Sequence, residues 1–241
     1  KNNNLKSVYG KEKVSKSDLK HVVERMRKNE LTGINITVPF KKEIIPFADE
    51  LTDEAKATES VNTLFKKNDK LIGHNTDISG FELSLRYANI NMKGKKVLIL
   101  GAGGVCPSLI YVLNKLETSE LSISNRTFDK AKALKDKFQN INLIEWNKFY
   151  DFDVVINATT LGLKETDRIK IQHEKLGPNK IFYDIIYNPK ETNFLKEARL
   201  NNHIAENGSM MFIYQAHQAF TIWHNIMPKI DDELIEFLNE K

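Results

Sequence analysis

Cysteine is nearly absent from this chain of 241 residues: Cys106 stands alone. That excludes an internal disulfide framework and fits a reducing compartment. Long apolar stretches are missing as well. No run of roughly 18 apolar residues occurs and no signal-peptide pattern opens the sequence, so neither a spanning helix nor export is read, and the cytoplasm is the expected location. Charge of one sign is also scarce, since 36 Lys and Arg exceed 32 Asp and Glu by only four and are scattered rather than gathered into an arm. Nucleic acid is therefore not an expected partner, while a small anionic ligand is compatible. Neither repeats nor low-complexity tracts appear beyond the first few residues. His74, His173, His203, His217 and His224 lack metal-ligand spacing, so no metal is expected and they read as surface or core residues.

What is present suits a globular α/β protein of one large or two small domains. Hydrophobic residues make up 41% and charged residues 28%, enough to bury a sizeable core. The rhythm changes near residue 92. Before it, "SDLKHVVERMRK" places Leu19, Val22, Val23 and Met26 at helical spacing, and "GINITV" alternates as a strand. "KKEIIPFADEL" reads as a helix on Ile44, Ile45, Phe47 and Leu51 despite Pro46. "ESVNTLFKKNDKLIGHNT" reads as two strands around an Asn68-Asp69 turn, and "DISGFELSLRYANI" as an amphipathic helix. After it, "KVLIL" is an uninterrupted apolar strand of the kind covered on both faces. Further strands, "LSISN", "INLI" and "FDVVINAT", alternate with helices such as "TFDKAKALKDKF", which implies βαβ units and a parallel sheet. "GSMMFIYQAHQAFTIWHNI" and "DDELIEFLNE" close the chain as a long and a short helix.

The turn after "KVLIL" carries the clearest chemistry. In "GAGGVCPSLI", Gly101 permits a tight turn, Gly103 lets backbone approach a pyrophosphate, and the next helix offers free N–H groups and its dipole. Cys106 occupies the third position of the usual glycine fingerprint, and Pro107 falls in the tolerated first turn. A glycine turn also serves purely structural ends; its place between strand and helix favours a nucleotide. The following strand ends in Asn125, Arg126 and Thr127, where an NAD site carries an acid. A guanidinium there attracts a 2′-phosphate, and Lys130 adds charge one turn on, so NADP is expected over NAD. A solvated Arg126 is the alternative.

Eight ordered motifs then show a resemblance. "NITVPFK" (35 to 41), "SVNT" (60 to 63), "GHNTD" (73 to 77), "GAGG" (101 to 104), "NRT" (125 to 127), "NATTLG" (157 to 162), "YDIIYNP" (183 to 189) and "GSMMFIYQ" (208 to 215) resemble the shikimate dehydrogenase family from about residue 17 onward. The resemblance implies a two-domain α/β fold: a substrate domain over 1–92, with helices from 208–241 packing back on it, and a Rossmann-like NADP domain over 93–207. It implies an active site in the cleft between them and reversible reduction of 3-dehydroshikimate to shikimate with NADPH.

Site roles follow from the resemblance in the same way. Lys41 and Asp77 match the catalytic pair, Lys41 donating a proton or stabilising developing charge and Asp77 orienting it; which one transfers the proton stays open. Read without the family, Lys41 is a solvated lysine and Asp77 an N-cap. Thr37, Asn62 and Gln215 match positions that hydrogen-bond substrate hydroxyls, and Tyr187 one near its carboxylate. Gly101, Ala102, Gly103 and Gly104 would hold the pyrophosphate, with Asn125, Arg126, Thr127 and Lys130 on the 2′-phosphate. Asn157, Thr159, Leu161, Ile185 and Gly208 would line the nicotinamide side. The family's opening strand and Ser-x-Ser carboxylate clamp find no match before residue 17; "KSVYG" reads as the second strand, "SKS" (15 to 17) is the alternative clamp, and a start at Lys1 suggests a fragment. As a whole protein such a chain would bind substrate poorly. A quinate-accepting dehydrogenase and a non-catalytic NADP-binding module are the rival functions, and a monomer or homodimer is expected.

Overall fold

The computed structural model describes residues 5–149 and 151–239. Two compact units result: one from the chain up to Thr76 with Ala216–Glu236, the other from Asp77–Gln215 with the residues from Phe237.

In the first unit, α1 (Leu19–Arg27) buries Leu19, Val22, Val23 and Met26 along one stripe, as their three- and four-residue spacing requires. The preceding turn Lys16–Asp18 is closed by a capping box in which the Ser15 N–H donates to the Asp18 carboxylate at 2.7 Å. Then come β1 (Gly33–Asn35), β2 (Glu50–Leu51), α2 (Asp53–Thr58), β3 (Thr63–Lys67) and β4 (Lys70–His74). The strands form a sheet in the order β1-β3-β4-β2, and β2 joins β4 in parallel. Asn68 and Asp69 take φ of 49° and 61° between β3 and β4, the left-handed geometry that a two-residue hairpin needs. Ile36, Ile44, Val61, Leu64 and Leu71 pack with α1 into the core.

Two expectations fail in this unit. Residues 41–51 are not a helix: a 3-10 turn at Ile45–Phe47 gives way to extended Ala48 and to β2. Pro46 removes a helical donor, and Asp49 is claimed from across the sheet: its N–H donates to the Leu71 carbonyl and its carboxylate accepts the Leu71 N–H, each at 2.8 Å, while Arg27 grips that carboxylate at 2.7 and 2.9 Å. The apolar residues still bury, but from a turn. "KSVYG" is not a strand either. Its backbone has no ladder partner among the described residues; Tyr9 instead donates to the Asn35 side-chain oxygen at 3.0 Å and stacks on Trp223.

The second unit holds α3 (Thr76–Tyr87), β5 (Lys96–Leu100), α4 (Cys106–Lys115), β6 (Glu120–Ser124), α5 (Phe128–Lys137), β7 (Asn142–Leu143), β8 (Val154–Asn157), β9 (Ile181–Asp184), α6 (Asn193–Leu200), β10 (Ile204–Glu206) and the first half of α7 (Ser209–His224); α8 (Asp232–Asn239) ends the chain. All strands are parallel, in the order β10-β9-β8-β5-β6-β7. Counted within the unit this is 6-5-4-1-2-3, the doubly wound dinucleotide-binding order, whose switch point lies between β5 and β8. Every residue of β8 and β9 is buried, which explains their apolar sequences. Phe81 and Leu85 of α3 share the core of this sheet with Val97, Ile99 and Tyr183.

Candidate active site

In the second unit the strand ends line up as one row, Ser124, Leu100, Asn157 and Asp184 being register partners in turn. Ligands of doubly wound sheets bind outside such carboxyl ends, at the switch point. Gly101 leaves β5 at φ 113° with its N–H on the Ser124 carbonyl at 2.8 Å, and a Cβ there would stand 2.7 Å from the Ala158 carbonyl, so only glycine fits. At Gly103 the case is opposite: a Cβ would meet nothing nearer than 3.9 Å, and the residue is exposed. Ala102 beside it is half-buried and Gly104 exposed. That bare backbone leads into the N-terminus of α4, a geometry that accepts phosphate oxygens. Cys106 is buried, its thiol pushed up to about 12 by that burial and donating to the Gly101 carbonyl at 3.4 Å. It packs rather than reacts.

Beyond β6, Asn125 donates to the Thr127 carbonyl at 2.7 Å and so shapes the turn that leaves Arg126 and Lys130 exposed. Two exposed cations beside an open glycine turn suit a dinucleotide with an extra phosphate.

After β8, the buried Asn157 organises its own exit loop. Its Oδ1 accepts from the Thr159 N–H at 3.1 Å and hydroxyl at 2.7 Å; its Nδ2 donates to the Leu161 carbonyl at 2.9 Å and the Asp184 carboxylate at 3.1 Å. Asp184, ending β9, also accepts from the Ile186 N–H at 3.0 Å and the Thr192 hydroxyl at 2.7 Å. Burial pushes its pKa up to about 6. Gly208 lies so near this loop that a Cβ would sit 2.1 Å from the Ile185 carbonyl, and its N–H donates to the Ile186 carbonyl at 3.0 Å.

The same unit brings Asp77 and Gln215 onto packed helices. Asp77, 6% exposed, sits in the first turn of α3; Gly80, one turn later, has a bare Cα facing the Met211 carbonyl at 2.8 Å and Gln215 Cβ at 2.9 Å from its would-be Cβ. Any side chain at 80 would push α7 away. Further along α3, the Ser84 hydroxyl meets the Tyr183 hydroxyl at 2.8 Å. Gln215 Nε2 donates to the Phe212 carbonyl at 3.1 Å, and Phe212 stacks on Tyr187 with ring centres 4.3 Å apart. Tyr187 itself is 46% exposed.

The first unit gathers Thr37, Lys41 and Asn62. The turn from Thr37 to Lys41 is closed at both ends on one dipeptide: the Ile36 N–H donates to the Asn62 carbonyl and the Val61 N–H to the Lys41 carbonyl, each at 2.8 Å. Asn62, 3% exposed, directs its side chain to Thr76, accepting the backbone N–H at 2.8 Å and donating to the hydroxyl at 3.0 Å, while the Thr63 hydroxyl donates to it at 3.0 Å. Thr76 is the residue before Asp77. Thr37 is exposed and Lys41 half-buried. Ser15 and Ser17 hydrogen-bond each other at 2.7 Å, and Ser15 donates to Asp18 at 2.6 Å, so "SKS" closes a helix start. Among the described residues no three His, Cys, Asp or Glu converge as metal ligands, and no helix is long and apolar enough to cross a membrane.

Comparison with known proteins decides the lineage. Residues 1–64 match the model of the shikimate dehydrogenase substrate binding domain, and residues 82–193 that of shikimate / quinate 5-dehydrogenase. A shikimate dehydrogenase (NADP(+)) of Pelagibacter ubique is 51% identical over 235 residues, 98% of this chain and 89% of that protein. The chain belongs to the shikimate dehydrogenase family. Among solved structures, the shikimate dehydrogenase of Aquifex aeolicus is similar with a TM-score of 0.84 and 33% identity over 95% of this chain and 84% of that one. The Thermus thermophilus shikimate 5-dehydrogenase, in complex with NADP(H) and shikimate, gives a TM-score of 0.84 and 27% identity over 94% and 85%.

Within a shikimate dehydrogenase fold, three residues that sequence reasoning passed over stand out. Asp184 binds two strand-exit loops together, Gly80 sets the approach of α7 to α3, and Tyr183 anchors α3 through Ser84. Only Gly80 carried a local signal: a glycine inside an apolar helical pattern costs about 1 kcal/mol against alanine and so asks for a packing reason.

Proposed function

We infer that this chain catalyses the reversible NADPH-dependent reduction of 3-dehydroshikimate to shikimate, as an oxidoreductase of its family. The observation that carries the reading is the double closure of the Thr37–Lys41 turn on Val61 and Asn62, with Asn62 in turn holding the residue before Asp77. One hydrogen-bonded frame thereby fixes the backbone of Lys41 and the entry to Asp77.

In this reading Lys41 protonates the carbonyl oxygen or stabilises its developing charge, and Thr37 and Asn62 hold substrate hydroxyls. Asp77 acts with Lys41 as the catalytic pair and accepts from a substrate hydroxyl, Gln215 serves a further hydroxyl, and Tyr187 lies near the carboxylate. Gly101, Ala102, Gly103 and Gly104 with the N-terminus of α4 would hold the pyrophosphate, and Asn125, Arg126, Thr127 and Lys130 the 2′-phosphate. Asn157, Thr159, Leu161, Ile185 and Gly208 shape the nicotinamide side. NADPH, when bound, supplies the hydride. The enzyme acts in the cytoplasm as a monomer or homodimer.

The test is oxidation of NADPH by 3-dehydroshikimate on the parent, Lys41→Ala and Asp77→Asn. Each substitution should lower kcat by roughly 10²–10⁴-fold, the usual weight of positioned proton transfer. NADPH binding, followed by its fluorescence, should change less than about threefold, below the 1.4 kcal/mol that a tenfold change represents. Near-parental kcat in both variants would overturn the assignment. Quinate with NAD, offered in parallel, measures how narrow the substrate range is.

A further inference from the structure

We propose that Asp184 is a positioning residue for the cofactor, acting as the acceptor that fixes which way the Asn157 amide faces and, through it, the loop on the nicotinamide side. The proposal rests on the NADP reading above.

Asp184 is fully buried, and no Lys or Arg pairs with it among the described residues. An ionisable group so placed is costly and needs a use. Capping α6 is not that use, since the Thr192 hydroxyl already accepts the Leu195 N–H at 3.4 Å. Nor does sheet pairing need it, because β9 is bonded to β8 and β10 through its backbone.

Direction is what the carboxylate contributes. An amide side chain has one accepting and one donating end, and packing alone hardly distinguishes them. At Asn157 the two ends have different tasks: Oδ1 receives both Thr159 donors, while Nδ2 reaches Leu161 and Asp184. A flipped amide would set Oδ1 against the Asp184 oxygen, acceptor on acceptor, and Nδ2 against the Thr159 N–H. The Leu161 carbonyl and the Thr159 N–H favour the same orientation, and Asp184 adds the one carboxylate to that choice. The order propagates outward, for the Thr159 hydroxyl donates to Asn157 and so has its lone pair turned to the Leu161 N–H at 3.0 Å. The same carboxylate holds Ile186, so the exits of β8 and β9 are set by one group. Gly101 lies against this loop, a would-be Cβ being 3.1 Å from Thr159 Cγ2.

Four variants test it by fluorescence titration with NADPH and by steady-state kinetics. Asp184→Leu removes the acceptor at similar bulk; the Kd and KM for NADPH should rise about tenfold while the KM for 3-dehydroshikimate stays within about twofold. Asp184→Asn keeps an oxygen toward Asn157 and should restore NADPH binding to within about threefold of the parent. Should Asp184→Leu fail to fold, Thr192→Val withdraws one donor and should weaken NADPH about threefold, whereas Thr192→Ser should not. Overturning results are parental NADPH affinity in Asp184→Leu or Thr192→Val, an Asn variant as weak as Leu, or equal losses for both substrates. A parent that binds NADPH without turning over 3-dehydroshikimate sinks the reaction reading and leaves this comparison intact. Absence of NADPH binding in the parent overturns both.

Discussion

Both units bury an asparagine whose side chain holds a loop, and the hydrogen-bond partners of the two differ in chemistry. Asn62 in the first unit binds the hydroxyls of Thr63 and Thr76 and the Thr76 N–H, groups that carry no charge. Asn157 in the second is met by Thr159 and by the carboxylate of Asp184. A neutral network keeps its charge at every working pH. A network closed by a buried acid does not, so the Asn157 loop carries a dependence on proton concentration through Asp184.

The difference can be broken at several points. Gly208→Ala should give the largest effect, because the new methyl would be driven onto the Ile185 carbonyl, 2.1 Å from its ideal position. Overpacking against backbone costs roughly 3 kcal/mol or more, so chemical denaturation should show a marked loss of stability and NADPH titration a weakened site. Parental stability would mean that the β9 exit is not held where it is described. Next comes Asn62→Ala. It leaves the Thr76 N–H without its acceptor and should cost about 2 kcal/mol, unchanged between pH 5 and 8, with the KM for 3-dehydroshikimate raised about tenfold. A pH-dependent loss would erase the contrast between the units.

Arg126→Ala should lower the preference for NADP over NAD by about 10- to 100-fold, the weight of a charge-assisted contact of roughly 1.5–3 kcal/mol, without altering the KM for 3-dehydroshikimate. Unchanged preference would remove the 2′-phosphate from this turn.

The smallest effect sharpens the comparison most directly. The carboxyl of Asp184 is raised from 3.8 to about 6 in the folded protein, chiefly by burial. Its folded form therefore binds the proton more tightly than the unfolded chain. Stability from this group is fully present below the unfolded value of 3.8 and is lost as pH rises through about 6. Relative to Asp184→Asn, the parent should lose on the order of 1–2 kcal/mol between pH 4 and 7. Parallel stability curves for the two would show that Asp184 does not titrate in this window.

Legibility in the sequence followed range of interaction. The strand, glycine turn and helix from Lys96 to Lys115 could be read because each choice is local: a buried strand, a positive φ at Gly101, and Pro107 in a first turn. Arg126 was equally visible through its register at the end of β6. The stretch 41–51 misled because its decisive partner is Leu71, 22 residues on from Asp49, and that pairing outweighs helical spacing. Asp184 was hidden for the same reason. "FYDIIY" looks like a strand with one acid, and nothing nearby announces that Asn157, 27 positions earlier, completes it.

Composition and pattern by themselves determined an α/β chain with a single cysteine, the doubly wound half with its glycine turn, and the residue types available for proton transfer and phosphate binding. Tertiary structure alone decided how the Lys41 turn is closed, why Gly80 and Gly208 must lack side chains, and which way the Asn157 amide faces. Hydrophobic period and turn chemistry act within a few residues and are written in order along the chain. Hydrogen-bond direction and close backbone approach join distant segments, and only packing brings those together.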